Sequence, residues 1–343
     1  MSKRGKKIKS VTFLGNFGVD YSSESDYLWT MKEKLHLKVE HFQEGQASAE
    51  EIEASALKTD AFFWVHTHGW ATPGKSMKEV IANLKAAGKP TFGYHLDLWL
   101  GLEREKELEI EDYWGTEYFF TVDKLMADYM NERENMPKAF WIRPGVVERD
   151  CVMKHRSYEE ITPADMMNDN YVPKAKYDYD VVFIGSKGYH PEWSYRPELI
   201  DWLRATYGDK FTHIGGDGIG VIRGEQLNQT LVNTKVVVGD SLCIGFDYPY
   251  YVSDRLYEIT GRGGFLIFPE IKGVRDEFTE DELITYKFGD FDDLKEKIDY
   301  YLTHEYENDQ IRWAGHTRTK EEHTYTQRLK EIFKILENEH YTA

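Results

Sequence analysis

Short apolar runs alternate with amphipathic segments along almost the whole chain. Residues 8–15, 60–65, 90–94, 118–121 and 139–142 read as buried strands, with a further strand at 39–42. Between them, 25–35, 49–57, 76–87 and 124–134 carry apolar residues at helical spacing. After a polar, Asn/Asp/Pro-rich stretch at about 148–177 the alternation resumes. Strands are expected at 180–185, 211–215, 235–238, 265–268 and 283–286, and helices at 163–167, 197–207, 226–232, 292–302 and 320–337. Strands that are apolar on both faces, separated by helices, predict parallel sheets covered on both sides: an α/β fold with two Rossmann-like halves.

In open parallel sheets, ligands bind just beyond the strand C-termini. Gly15-Asn-Phe-Gly18 forms a tight turn after the first strand, and His66, His68, His95 and Asp97 follow the third and fourth. A histidine titrating near neutrality, oriented by a carboxylate, is the usual general base. His66, His68 and Asp97 are therefore the candidate catalytic residues. Two other readings stay open: a metal site, which would make the chain a metal-dependent hydrolase using His66, His68, His95 and Asp97, or hydrogen-bonded loop histidines.

The second half is organised around residues 253–269. Ser253 is a suitable N-cap, and Arg255 and Glu258 lie three apart on one face of a short helix that ends at Gly261. Gly263 and Gly264 then lead into an apolar strand that Pro269 stops. An arginine near a helix start can hold an anionic phosphate, and a glutamate one turn on can accept from a sugar hydroxyl. Gly185-Ser-Lys187-Gly188 follows the first strand of this half and permits close backbone approach.

This helix–GG–strand segment resembles the donor-binding segment of GT-B glycosyltransferases, in particular the CgeB-like and group 1 families. Downstream, 281–302 resembles their strand followed by a helix ending in Tyr-Tyr-Leu, and Ala314-Gly-His316 with His323-Thr-Tyr-Thr-Gln-Arg328 resembles their closing signature. Upstream, 179–185 followed by Arg196-Pro-Glu-Leu-Ile200 resembles the start of the same domain.

The resemblance implies two Rossmann-like domains facing across a cleft, with a C-terminal helix crossing back to the first. The expected boundaries are 1–150 for an acceptor-side domain, 151–178 for a linker, 179–318 for the nucleotide-sugar domain and 319–343 for the returning helix. It implies donor binding by Gly185, Lys187, Tyr251, Ser253, Arg255 and Glu258, with Glu258 on the ribose. Many retaining members carry another glutamate eight residues before this one; here that position is Tyr250. The two DxD sequences, at 178–180 and 290–292, precede a strand and a helix and read as turn residues or caps. The expectation is a transferase using an NDP-sugar, most simply a UDP-sugar, with no cofactor and no essential metal. A catalytically inactive nucleotide-sugar-binding module is the remaining alternative.

Composition narrows the partners. With 43 Lys and Arg against 60 Asp and Glu the formal charge is −17, which repels phosphate backbones and disfavours DNA as acceptor. A glycan, a small molecule, a protein or a hydroxymethylated base in phage DNA would each offer the hydroxyl. Hydrophobic residues make up 41%, enough for two cores, and no apolar run reaches the ~18 residues of a membrane span. Two cysteines make neither a disulfide framework nor a metal spacing, so a cytoplasmic setting, in a bacterium or a phage-infected host, is expected.

Overall fold

The computed structural model describes residues 7–66, 70–109, 112–153, 177–188, 190–215, 219–241 and 250–341. His68, the helix expected at 163–167 and most of the expected linker lie outside these residues.

The chain divides into two compact units. The first comprises residues up to Arg143 together with those from Tyr325 onward, and the second runs from Pro144 to Thr324. The first contains β1 (Ser10–Gly15), α1 (Ser23–Trp29), β2 (Lys38–Gln43), α2 (Ala49–Ala56), β3 (Ala61–Trp64), α3 (Met77–Ala86), β4 (Thr91–His95), β5 (Tyr118–Thr121), α4 (Lys124–Asn131) and β6 (Lys138–Trp141). Its six strands are all parallel, in the order β2-β1-β3-β4-β5-β6. Helix starts follow the capping residues in the sequence. Ser48 and Glu51 form a reciprocal capping box on α2, and Ser22, Ser76 and Asp123 accept from the first turns of α1, α3 and α4.

Both faces of this sheet are buried. On one, Leu14, Phe62, Trp64 and Phe119 pack with Ile52, Val80, Leu84 and Met126 from α2, α3 and α4. On the other, Phe13, Phe63 and Phe92 stack in sequence across β1, β3 and β4, with centroids 4.3 and 4.6 Å apart. Tyr27 of α1 closes over this ladder beside Tyr94 and Tyr325.

The second unit contains β7 (Tyr179–Ile184), α5 (Tyr195–Tyr207), β8 (Phe211–Ile214), α6 (Gly224–Val232), β9 (Thr234–Val238), α7 (Arg255–Gly261), β10 (Leu266–Glu270), β11 (Ile284–Lys287), α8 (Phe291–Tyr301) and α9 (Glu305–Glu322). Its parallel sheet has the order β11-β10-β9-β7-β8. The last helix, α10 (Tyr325–Tyr341), belongs to the first unit. Glu337 accepts from the Ile8 amide at 2.9 Å and Phe333 meets Phe92, so the chain does return to its first domain.

Three elements differ from the sequence expectation. The first helix ends in a π-helical turn, Thr30–Lys34. The helix after Ser253 is capped by Asp254 with no side-chain bond and has only seven residues. The eighteen-residue α9 was not expected, because its buried positions are polar: Asn308, Asp309, Arg312, His316 and Thr319. Arg312 donates to the carbonyls of Leu231, Val232, Thr234 and Gly263, and His316 bonds the Gly261 carbonyl at 2.8 Å. A hydrophobic period cannot reveal a helix whose buried face works by hydrogen bonds. Among the described residues, no helix is long and apolar enough to cross a membrane.

Candidate active site

In the second unit, strand order reverses about β7, which has β8 on one side and β9 on the other. The crevice between the C-terminal ends of β7 and β9 is the place where such sheets bind ligands. Gly185 leaves β7 there with φ at +137°, a conformation that favours glycine. The Arg255 guanidinium lies against it: a Cβ on Gly185 would stand 2.7 Å from Nη2. The Gly185 carbonyl accepts from His213 Nε2 at 2.7 Å, and its amide donates to Ile214 at 2.8 Å, so the turn is fixed from β8.

Asp240, just beyond β9 and fully buried, holds the arginines. Its Oδ2 accepts from Arg196 Nε at 2.8 Å and its Oδ1 from Arg255 Nη1 at 3.4 Å. One carboxylate facing two guanidinium groups leaves this trio with one uncompensated positive charge. That imbalance suits a polyanion, and the guanidinium fork matches phosphate oxygens.

Ser241, also buried, accepts from the Ser253 amide at 3.2 Å and donates to the Tyr251 carbonyl at 3.4 Å. Ser253 Oγ in turn accepts from the Arg255 amide at 3.4 Å. These contacts set the entry of α7. One turn on, Glu258 is partly accessible, but burial raises its pKa. The nearby charge of Asp254 adds to the rise, while Arg262, Arg223 and Arg255 oppose it. A carboxyl group set among arginines at this edge is placed to accept from vicinal hydroxyls.

Thus Gly185, Ser253, Arg255 and Glu258 come together. Tyr251 is buried, and Lys187 reaches away to Asp201. Arg196 and Asp240 complete the cluster. Arg196 was visible as a helix-start arginine, whereas nothing local distinguished Asp240.

The first unit has its own reversal point, between β1 and β3. His66 follows β3, and its Nδ1 meets Glu44 Oε1 at 2.6 Å. Trp64 Nε1 donates to the same oxygen at 2.6 Å. Glu44 follows β2, so three residues from two strand ends converge. Sequence reading missed Glu44; the available signal was its position directly after β2.

His95 is engaged on both ring nitrogens. Its Nδ1 accepts from the Asp97 amide at 3.2 Å, and its Nε2 donates to the His66 carbonyl at 3.2 Å. Burial lowers its pKa to about 4, keeping it neutral. Asp97 pairs with Arg104 at 3.3 Å. His95 therefore ties the β4 end to the β3 end, and Asp97 remains half-buried beside it.

A family model described as glycosyl transferase-like matches residues 174–334, which include the Gly185–Arg255 site. Among solved structures, an alpha-glucosyltransferase in complex with UDP-glucose and DNA containing an abasic site superposes with a TM-score of 0.65 at 12% identity, over 95% of this chain and 99% of that one. HepE of Anabaena in complex with UDP and glucose gives a TM-score of 0.58 at 12% identity, over 96% and 99%. A glycosyltransferase from Rickettsia africae gives 0.56 at 10% identity, over 97% and 98%. No curated protein matches the chain.

Proposed function

We propose that this chain, a glycosyltransferase of the GT-B fold, transfers a sugar from UDP to an acceptor hydroxyl without a bound metal. The observation that carries the reading is the Arg255 guanidinium seated on Gly185 at the switch point, with Asp240 and Arg196 behind it. In such a transfer the bond between the anomeric carbon and the diphosphate oxygen breaks, and the electron pair leaves on UDP. Charge developing on that diphosphate is met by Arg255, a task that a guanidinium can perform as well as a divalent cation. Glu258 receives the ribose hydroxyls. Gly185 lets the backbone approach the phosphates, and Ser253 sets the Arg255 amide toward the same edge. Lys187 would join after exchanging Asp201 for phosphate.

The acceptor hydroxyl loses its proton to His66. Asp97 and His68 bind the acceptor in this reading. The donor being a UDP-sugar is supported by the structural neighbours bound to UDP or UDP-glucose. One neighbour holds DNA, but a charge of −17 on this chain weighs against a DNA acceptor. A zinc hydrolase is not favoured: His95 uses both ring nitrogens within the protein, and His66 Nδ1 faces Glu44.

Thermal stabilisation by UDP, other nucleoside diphosphates and their sugars, with and without EDTA, tests the proposal. Ligand that binds only the folded chain raises its melting temperature. A shift with UDP that survives EDTA is expected. No shift with any nucleotide would overturn the reading, and a shift abolished by EDTA would overturn its metal independence.

A further inference from the structure

Resting on that reading, we infer that Glu44 is the positioning residue for the acceptor-side base: it holds His66 as the Nδ1–H tautomer and raises its basicity. Glu44 is 2% exposed, yet it is neither a core residue nor part of a surface ion pair. Two N–H groups, from the Trp64 indole and the His66 imidazole, converge on its Oε1 at 2.6 Å each. The indole nitrogen is always a donor, and an ionised Glu44 has only acceptor oxygens, so the imidazole nitrogen on the same oxygen donates as well. His66 therefore carries its proton on Nδ1, and its lone pair is on Nε2. That is the form a base needs.

The cost of the arrangement points the same way. Glu44 Oε2 is buried with no hydrogen-bond partner among the described residues. A buried carboxyl oxygen left unmatched is unfavourable, and stability alone would be better served by an apolar residue packed under Trp64. Among the described residues, Glu44 is the carboxylate recorded against the His66 ring. Tyr113 meets its ring at 5.7 Å, and neutral His95 touches its carbonyl. Asp97 and Arg104 lie beyond His95 and pair with each other. A carboxylate at that distance favours the imidazolium form of His66.

His95 offers the contrast. It lies at the same sheet edge, but its protons are fixed by backbone groups and burial keeps it neutral, so it can orient the loop and not cycle a proton. Two histidines that look equivalent in sequence have different work because only one has a buried carboxylate behind it.

Histidine ring 15N spectra test this directly. The His66 signals are assigned by their loss in His66→Gln, and the wild type and Glu44→Gln are titrated. The wild type is expected to show the Nδ1–H tautomer with a pKa above the ordinary ~6.5, and Glu44→Gln to lower that pKa by about one unit. An Nε2–H tautomer in the wild type overturns the inference whether or not the variant folds. So does a pKa that Glu44→Gln leaves unchanged. Calorimetric titration of the wild type with UDP reads the transferase proposal separately. A chain that fails to bind UDP while His66 keeps its Nδ1 proton loses the donor assignment and not this one.

Discussion

A side chain on Gly185 would collide with Arg255: the nearest guanidinium atoms would lie 2.7–2.8 Å from its Cβ. Gly185→Ala must therefore displace the arginine, and it also places alanine at φ +137°. The strain costs about 1–3 kcal/mol of stability. UDP affinity should fall by more than about tenfold, beyond what partial unfolding explains, as read by calorimetry well below the melting temperature.

Arg255→Ala isolates the charge from the strain. Arg196 remains on Asp240, so the buried carboxylate keeps a partner and the fold should hold. Loss of charged hydrogen bonds to phosphate at about 1.5–3 kcal/mol corresponds to roughly 10- to 150-fold weaker UDP binding. Arg255→Lys should recover only part of this, because an ammonium lacks the bidentate fork. Equal binding by Arg255→Ala and the wild type would remove the residue from the donor site.

Glu258→Gln should separate stability from function. The folded-state pKa of Glu258 is raised, chiefly by burial and then by Asp254. Its contribution is therefore fully favourable below the unfolded carboxyl pKa and is lost as pH rises through the folded value. At neutral pH the uncharged variant should melt higher than the wild type. It should also bind UDP more weakly, since an amide is a poorer acceptor for ribose hydroxyls. A variant that is less stable at neutral pH would contradict the burial argument.

His95 predicts the acid limb of stability. Its folded pKa is depressed to about 4 by burial, so its contribution is complete above the unfolded value near 6.5 and is lost as pH falls toward the folded one. Up to about 3 kcal/mol is at stake across that window. Denaturant midpoints of the wild type and His95→Asn, measured through it, should converge as the pH drops.

Arg312→Leu should be among the most damaging substitutions in the second unit. Four backbone carbonyls from Leu231, Val232, Thr234 and Gly263 would lose their donor in a buried site. A loss of about 3–5 kcal/mol in urea unfolding is expected, with the transition still cooperative.

The sheets were legible because strands buried on both faces are continuous apolar runs, and each expected strand is present. The Gly185–Arg255 cluster was legible in part for a different reason: Gly185, Ser253 and Arg255 carry local constraints of turn and helix start that the sequence displays. Asp240 and Glu44 were not legible. Each does its work through partners far along the chain, Arg196 and Arg255 for one, Trp64 and His66 for the other. A lone carboxylate after a strand has no pattern of its own. Helix α9 escaped for the related reason that its buried face speaks to carbonyls.

The return of α10 makes the first unit discontinuous in sequence, and this bears on the order of synthesis. Tyr27 and Phe92 are covered by Tyr325 and Phe333, and the Ile8 amide is satisfied by Glu337. These partners leave the ribosome after the whole second unit. The second unit has all its strands and helices translated before the aromatic ladder of the first gains its cover. The nascent amino-terminal sheet must therefore wait, with one apolar face open, while the intervening unit folds, and it is then that the chain is most exposed to aggregation and to holdase chaperones.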